Sequence, residues 1–268
     1  MENSNSFTPK TKTLEESILV AMDGTDTAIL PFLPYIFQDV AELGSDPEVI
    51  VALLRKHVKD FSRFKVLDLG CGKGTVSIRI ANEFNCECVG VDGMREFLEE
   101  ANGKALACGL QRICRFETGD IRDRIFNFKN FNAVILGAVG PVFGDYYKTL
   151  KTCGECIADD GLIVIDDGYI QDHLAFSLPH ALKRQVLLEH ISDAGMKLVD
   201  EVIADKDQIS QRDDDIFKNL NMRCQELIQR HPDKKHIFHE YIKRQQEENE
   251  ALEGELTCAT MIVKKAWK

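Results

Sequence analysis

Residues 66–74, VLDLGCGKG, decide the fold. The run opens as a short apolar strand carrying one aspartate, Asp68, and then breaks into glycine at every second position. A buried strand that ends in a turn poor in side chains and feeds a helix N-terminus builds a crevice. A nucleoside-bearing ligand can lie there against bare backbone. Gly70, Gly72 and Gly74, with Cys71 between the first two, let the chain turn tightly and let a ligand approach without interference from a Cβ. Asp68, at the strand end, is placed to orient the turn and to reach a ligand ammonium through water.

Outward from this stretch the pattern alternates. Strands are expected at 65–69, 87–91, 113–117, 133–136, 162–165 and 197–203, with helices at 74–84, 93–108, 141–158 and 179–193 between them. Such alternation implies an α/β fold, a mostly parallel sheet with helices on both faces. Residues 205–254 interrupt it. Ile209, Ile216, Leu220 and Leu227 make one helical stripe, and Ile237, Phe238, Tyr241 and Ile242 make another after His231-Pro232. This reads as a helical hairpin, followed by a seventh strand at 256–264 that is free to return antiparallel because no helix separates the two.

Ahead of the glycine run, residues 1–12 are polar and read as disordered. Thr13 and Glu16 form a capping-box pattern before a short helix that ends at Asp23-Gly24. Residues 29–43, rich in apolar and aromatic side chains, read as a helix with Pro31 and Pro34 near its front, and Ser45, Pro47 and Glu48 start another. The expected organisation is a helical cap over 1–62, a core over 63–204, the hairpin over 205–254 and the last strand over 255–268.

With 44% hydrophobic residues, the 268-residue chain can bury a large core, and its net charge of −11 argues against nucleic acid as a partner. The first residues, MENSNSFTPK, lack an apolar signal-type run, and no stretch approaches about 18 uninterrupted apolar residues, so no membrane association is expected. Nine cysteines, an odd number, sit mostly in helices and strands, which fits reduced thiols and a cytoplasmic location. Cys153-x-x-Cys156 and Cys86-x-Cys88 lack a second pair at zinc spacing and read as buried packing residues; His236 and His239 lie on a polar helix. No metal is expected.

A second carboxylate separates the possible ligands. Asp92 ends the next strand, CVGVD, where an acidic residue accepts hydrogen bonds from ribose hydroxyls as well as capping the following helix. The dinucleotide fingerprint wants a further glycine where this chain has Thr75. In its alternating D-x-G-x-G-x-G form the loop resembles that of the class I S-adenosylmethionine-dependent methyltransferases. That resemblance implies a seven-stranded sheet whose last strand lies antiparallel between the fifth and sixth, with S-adenosylmethionine as cofactor. It also implies contact of Gly93 and Met94 with the sugar and base, of Gly119, Asp120 and Ile121 with the adenine, and of Gly137, at the end of the fourth strand, with the methionine part.

The motifs are silent about the acceptor. No Asn-Pro-Pro-Tyr or Asp-Pro-Pro-Tyr follows the fourth strand, and Gly137-Ala138 stand where a magnesium-dependent catechol enzyme has an aspartate. A small-molecule acceptor with an oxygen, nitrogen or carbon nucleophile is the leading expectation. A protein or RNA methyltransferase and a non-catalytic cofactor-binding module are the alternatives. Asp166, Asp167, Tyr169, Tyr146 and Tyr147 are base candidates at strand ends, although Asp166-Asp167-Gly168 also reads as a plain turn; the catalytic residue stays unassigned. Residues 32–37 with Tyr35 read equally as a lid over the cofactor or a helix on the sheet. The hairpin reads as a lid or a homodimer contact.

Overall fold

The computed structural model describes residues 12–178, 181–254 and 256–266. Seven strands form one sheet: β1 (Lys65–Leu69), β2 (Glu87–Asp92), β3 (Cys114–Thr118), β4 (Phe131–Gly137), β5 (Ile157–Ile170), β6 (Met196–Ile203) and β7 (Leu256–Lys265). Their order is β3-β2-β1-β4-β5-β7-β6, and β7 runs antiparallel to both neighbours. This is the order the resemblance implies. The chain order reverses beside β1 and β4, so the strand ends there leave the crevice where open α/β sheets bind ligands.

Alternate residues of the central strands supply two cores. Leu67, Leu69, Val134, Leu136, Ile163 and Ile165 face one layer of helices, among them α7 (Tyr146–Gly154) and α8 (Arg184–Asp193). Val66, Ala133, Ile135, Leu162 and Val164 face the other, formed by α3 (Pro47–His57) and α4 (Thr75–Phe84). Full burial on both faces explains why these strands read as unbroken apolar runs.

A third core joins what the sequence separates. Ile29, Leu33, Ile36 and Phe37 of the N-terminal cap pack with Leu220, Cys224 and Leu227 of α9 (Lys206–Arg230) and with Ile237, Phe238 and Tyr241 of α10 (Lys235–Glu253). The two apolar seams of the hairpin are thus filled by the cap. Tyr241 Oη and Gln245 Nε2 both donate to the Met22 carbonyl, tying α10 to the end of α1 (Leu14–Ala21). The Thr13–Glu16 capping box at the start of α1 is formed in both directions.

Four expectations need correction. The helix expected over 29–43 is only a 3-10 turn (Thr27–Phe32) and one α turn, α2 (Leu33–Ile36). Pro31 and Pro34 remove backbone donors, and the chain then leaves as an irregular strip over 37–46 that crosses the glycine loop. The helix expected over 141–158 shortens to α7, capped by Asp145, because Ile157 already pairs with Phe131 ahead of a bulge in β5. Asp166-Asp167-Gly168 is not a turn: these residues pair with Thr260, Ala259 and Cys258 inside β5. The helix expected to start from Ser45 begins at Pro47, with Asp46 as its cap, accepting from the Glu48 and Val49 amides at 2.8 and 3.3 Å. Residues 1–11, and Pro179 at the expected start of α8, lie outside the described residues.

Candidate cofactor and acceptor site

The glycine loop turns as its spacing demands. Gly70, Gly72 and Gly74 have φ of +76°, +51° and +71°, values that L side chains rarely adopt. The Gly70 and Cys71 amides donate to the Val91 carbonyl, so the loop is laid against the tip of β2. There the Asp92 carboxylate accepts from the Gly72 amide through Oδ2 and from the Met94 amide through Oδ1, both at 2.8 Å. One carboxylate therefore sets the loop and holds the turn that leads into α5 (Arg95–Ala107). Contrary to expectation it does not cap that helix, whose N-cap is Met94 with no side-chain capping bond. Burial raises its pKa, and the Met94, Gly72 and Gly93 amides pull it back. A carboxylate offers about four lone-pair positions, so two such bonds leave acceptor capacity for vicinal hydroxyls.

Asp68 lies beneath the loop, 3% exposed, and accepts from Ser77 Oγ of α4 at 2.6 Å. Burial pushes its carboxyl up to about 6, against the pull of the Ser77 hydroxyl. Its partner is the helix that follows the loop, so its observed role is to hold strand, loop and helix together. Cys71 is buried under Gly90: a Cβ built on Gly90 would fall 2.6 Å from Cys71 Sγ.

At the tip of β3, Asp120 caps α6 (Ile121–Arg124) through the Arg122 amide, and the Arg122 Nε reaches both its oxygens at 2.9 and 3.0 Å. Arg122 holds the Asp120 carboxyl below its ordinary pKa. Gly119 donates its amide to the Asp92 carbonyl, which brings the second and third motifs together. At the tip of β4, Gly137 pairs with Asp166 of β5, and the Ala138 amide donates to the Asp166 carbonyl at 2.9 Å. Ala138 has φ +54°, a strained value for a residue with a Cβ, and such strain collects at functional edges.

The cap covers this crevice. A Cβ built on Gly72 would fall 2.8 Å from Leu43 Cδ1, and one on Gly93 would fall 2.8 Å from Ile18 Cδ1 and 3.0 Å from Leu14 Cδ1. Val139 closes on Gly70, and Ser45 Oγ stands 2.6 Å from the corresponding point on Gly137. Thr75 Oγ1 donates to the Ala41 carbonyl at 2.6 Å, and the Arg122 guanidinium to the Lys12 carbonyl at 2.9 Å. The side chains over the cradle are aliphatic apart from Ser45 and sit on the irregular strip, on α1 and after β4.

Lys73, between two of the glycines, is a site residue that motif reading overlooks. It is 2% exposed, donates to the Phe37 carbonyl at 2.7 Å, pairs with Glu100 of α5 at 2.8 Å, and lies 5.7 Å from the Phe97 ring centroid. It fastens the cap to the loop. A lysine inside a glycine loop was the available signal. Of the aromatic segment, Phe37 faces this latch, packing edge-on against Phe97. Tyr35 and Phe32 instead face the hairpin: Tyr35 Oη donates to Glu226 of α9 under the Arg230 guanidinium, and Phe32 packs edge-on against Phe238.

Beyond the tip of β4, Tyr146 Oη donates to the Asp167 carboxylate of β5. Burial raises Asp167, the Tyr146 hydroxyl and Gly168 amide oppose that, and Glu248 of α10 adds to it. Asp166 is likewise raised by burial and moderated by the Ser45 and Thr260 hydroxyls. Asp23, at the end of α1, is pushed up to about 7 by burial with Glu248 adding its charge. Tyr147 is exposed, and Tyr169 points into the core beneath α8. Cys153 and Cys156 are buried and unpaired.

A family model described as a methyltransferase domain matches residues 60–245. An uncharacterised methyltransferase of Bacillus subtilis is 25% identical over 138 residues, 50% of this chain and 54% of that protein. The chloroplastic tocopherol O-methyltransferase of Arabidopsis thaliana is 32% identical over 101 residues, 38% of this chain and 29% of its own length. The chain thus spans about half or less of these two curated relatives. Among solved structures, an S-adenosylmethionine-dependent methyltransferase from Geobacter sulfurreducens in complex with S-adenosyl-L-homocysteine superposes with a TM-score of 0.72 at 16% identity. That alignment covers 88% of this chain and 98% of that one; at this identity it speaks for the fold. Among the described residues no helix is long and apolar enough to cross a membrane.

Proposed function

Because this chain belongs to the methyltransferase-domain family, of the class I S-adenosylmethionine-dependent type, we propose that it transfers a methyl group from S-adenosylmethionine to a small-molecule acceptor by in-line displacement. The observation that carries this is Asp92. A single carboxylate anchored to Gly72 and Met94 keeps acceptor capacity beside the glycine-rich loop. When bound, S-adenosylmethionine supplies a sulfonium methyl already activated for displacement.

The chain's own residues then have four tasks. Gly70, Cys71, Gly72 and Gly74 offer backbone to the cofactor, and Asp92 takes the ribose hydroxyls. Gly93, Met94, Gly119, Asp120 and Ile121 border the adenine, and Gly137 leaves room at the methionine end. Asp68 keeps the loop in shape through Ser77. Side chains of the cap and hairpin keep water away, and holding an acceptor in line is worth roughly 7–11 kcal/mol of barrier in well-oriented systems. An acceptor that carries a proton at neutral pH needs a base, and the Tyr146–Asp167 pair at the β5 edge is the assembled candidate.

The net charge of −11 and the cap folded over the crevice support a small acceptor over RNA or a protein chain. The acceptors named for relatives do not transfer to this chain. The test is incubation of the full chain with methyl-labelled S-adenosylmethionine and a fractionated small-metabolite pool. Label in a low-mass product is expected; label confined to protein or RNA fractions would overturn the acceptor class.

A further inference from the structure

In a nucleoside the adenine base has a single donor group, its exocyclic amine, and an ionised carboxylate can only accept. Asp120, at the tip of β3, could therefore bond an adenine only by taking that amine. Its oxygens are already engaged. Oδ1 accepts from the Arg122 amide and from Arg122 Nε, both at 2.9 Å, and Oδ2 accepts from Nε at 3.0 Å and from Nη2 at 2.5 Å. A carboxylate offers about four acceptor positions, so one residue fills them.

A base does not displace this fork readily. Hydrogen bonds between a guanidinium and a carboxylate are roughly twice as strong as those from a neutral N–H, and the fork adds a fixed geometry. Arg122 is also held from the other side, because its Nη1 donates to the Lys12 carbonyl at 2.9 Å. That carbonyl lies just ahead of α1, whose Leu14 and Ile18 stand over Gly93. The Arg122 and Asp120 side chains are only 23% and 16% exposed, so water screens the pair weakly. Glu117, on the same strand, is matched by Arg115 at 3.0 Å and by Arg124.

Resting on the reading of the crevice as the cofactor site, we propose that Arg122 sets the base specificity of this chain: by saturating Asp120 it leaves the exocyclic amine unread, and the site accepts a purine with or without it. Asp120 then borders the base without bonding it. A site rejects an analogue strongly when the missing group leaves one of the site's own buried polar atoms unpaired. Asp120 stays paired in either case.

The test is calorimetry on the full chain with S-adenosylhomocysteine and with the analogue that carries unsubstituted purine in place of adenine. Wild type, Asp120→Asn and Arg122→Met are compared by the ratio of the two affinities. A ratio taken within one protein cancels any loosening of α1 that the substitution causes. Wild type and Asp120→Asn are expected to bind the two compounds within about twofold of each other. Arg122→Met frees the carboxylate and is expected to prefer the adenine compound about tenfold. A tenfold adenine preference in wild type, or an Arg122→Met protein with the wild-type ratio, would overturn this inference and leave the cofactor reading standing. Binding of neither compound to wild type would overturn both.

Discussion

Leu43 lies over Gly72, its Cδ1 2.8 Å from the point where a Cβ on that glycine would sit. The glycine is therefore already in contact with the protein's own cap, and a nucleoside lying on the loop must first displace this side chain. Removing the leucine removes the competitor. Leu43→Ala is expected to bind S-adenosylhomocysteine about fivefold more tightly, on the scale of about 1 kcal/mol for a partly buried aliphatic contact. Titration calorimetry reads it, and weaker binding would show that Leu43 is part of the ligand's own enclosure.

Lys73 reports on how firmly the cap is fastened. Its ammonium is buried between the Phe37 carbonyl and Glu100, so Lys73→Met leaves that carbonyl without its donor. A loss of about 2–3 kcal/mol is expected, lowering Tm by roughly 5–10 °C in a chain of this size. Amide hydrogen exchange is expected to rise first over residues 33–45. Uniform exchange across the chain would contradict the latch.

Asp68 gives the pH test. Its carboxyl is raised to about 6 by burial, above its ordinary value of 3.8, so the folded state holds a proton that the unfolded chain releases. The stability from that proton is complete below the unfolded pKa and is lost as pH rises through about 6. Asp68→Asn carries no such dependence. Its Tm relative to wild type is expected to be level and highest from about pH 8 down towards pH 6, and to fall from there towards pH 5. A constant difference across that range would show that Asp68 is not buried as an acid.

Much of this arrangement is legible in the chain itself, and the reasons are local. Alternating glycines need positive φ at Gly70, Gly72 and Gly74 whatever surrounds them, and Asp92 follows an apolar run that ends where the sheet ends. Thr13 and Glu16 cap α1 with only each other. What escapes reading depends on partners distant in sequence. Nothing near residue 43 announces that its side chain will cover Gly72, and nothing near Asp166 says that β7 will extend β5 through it. The strip over 37–46 has helix-forming residues, but its contacts with Thr75 and Lys73 outweigh that propensity. Arg122, two residues beyond Asp120, was a readable neighbour whose grip on that carboxylate needed the α6 turn to appear.

The central claim is that Asp92 and the glycine loop receive S-adenosylmethionine. Calorimetry with S-adenosylhomocysteine and with NAD, on wild type and on Asp92→Asn, tests it most directly. The asparagine keeps the side chain's shape and one carbonyl acceptor, and removes the charge. One equivalent of S-adenosylhomocysteine is expected to bind wild type while NAD does not, and Asp92→Asn is expected to bind about tenfold more weakly, the scale of charge-assisted hydrogen bonds to a ribose. Binding of NAD in preference, or an Asp92→Asn protein that holds S-adenosylhomocysteine as tightly as wild type, would contradict the account.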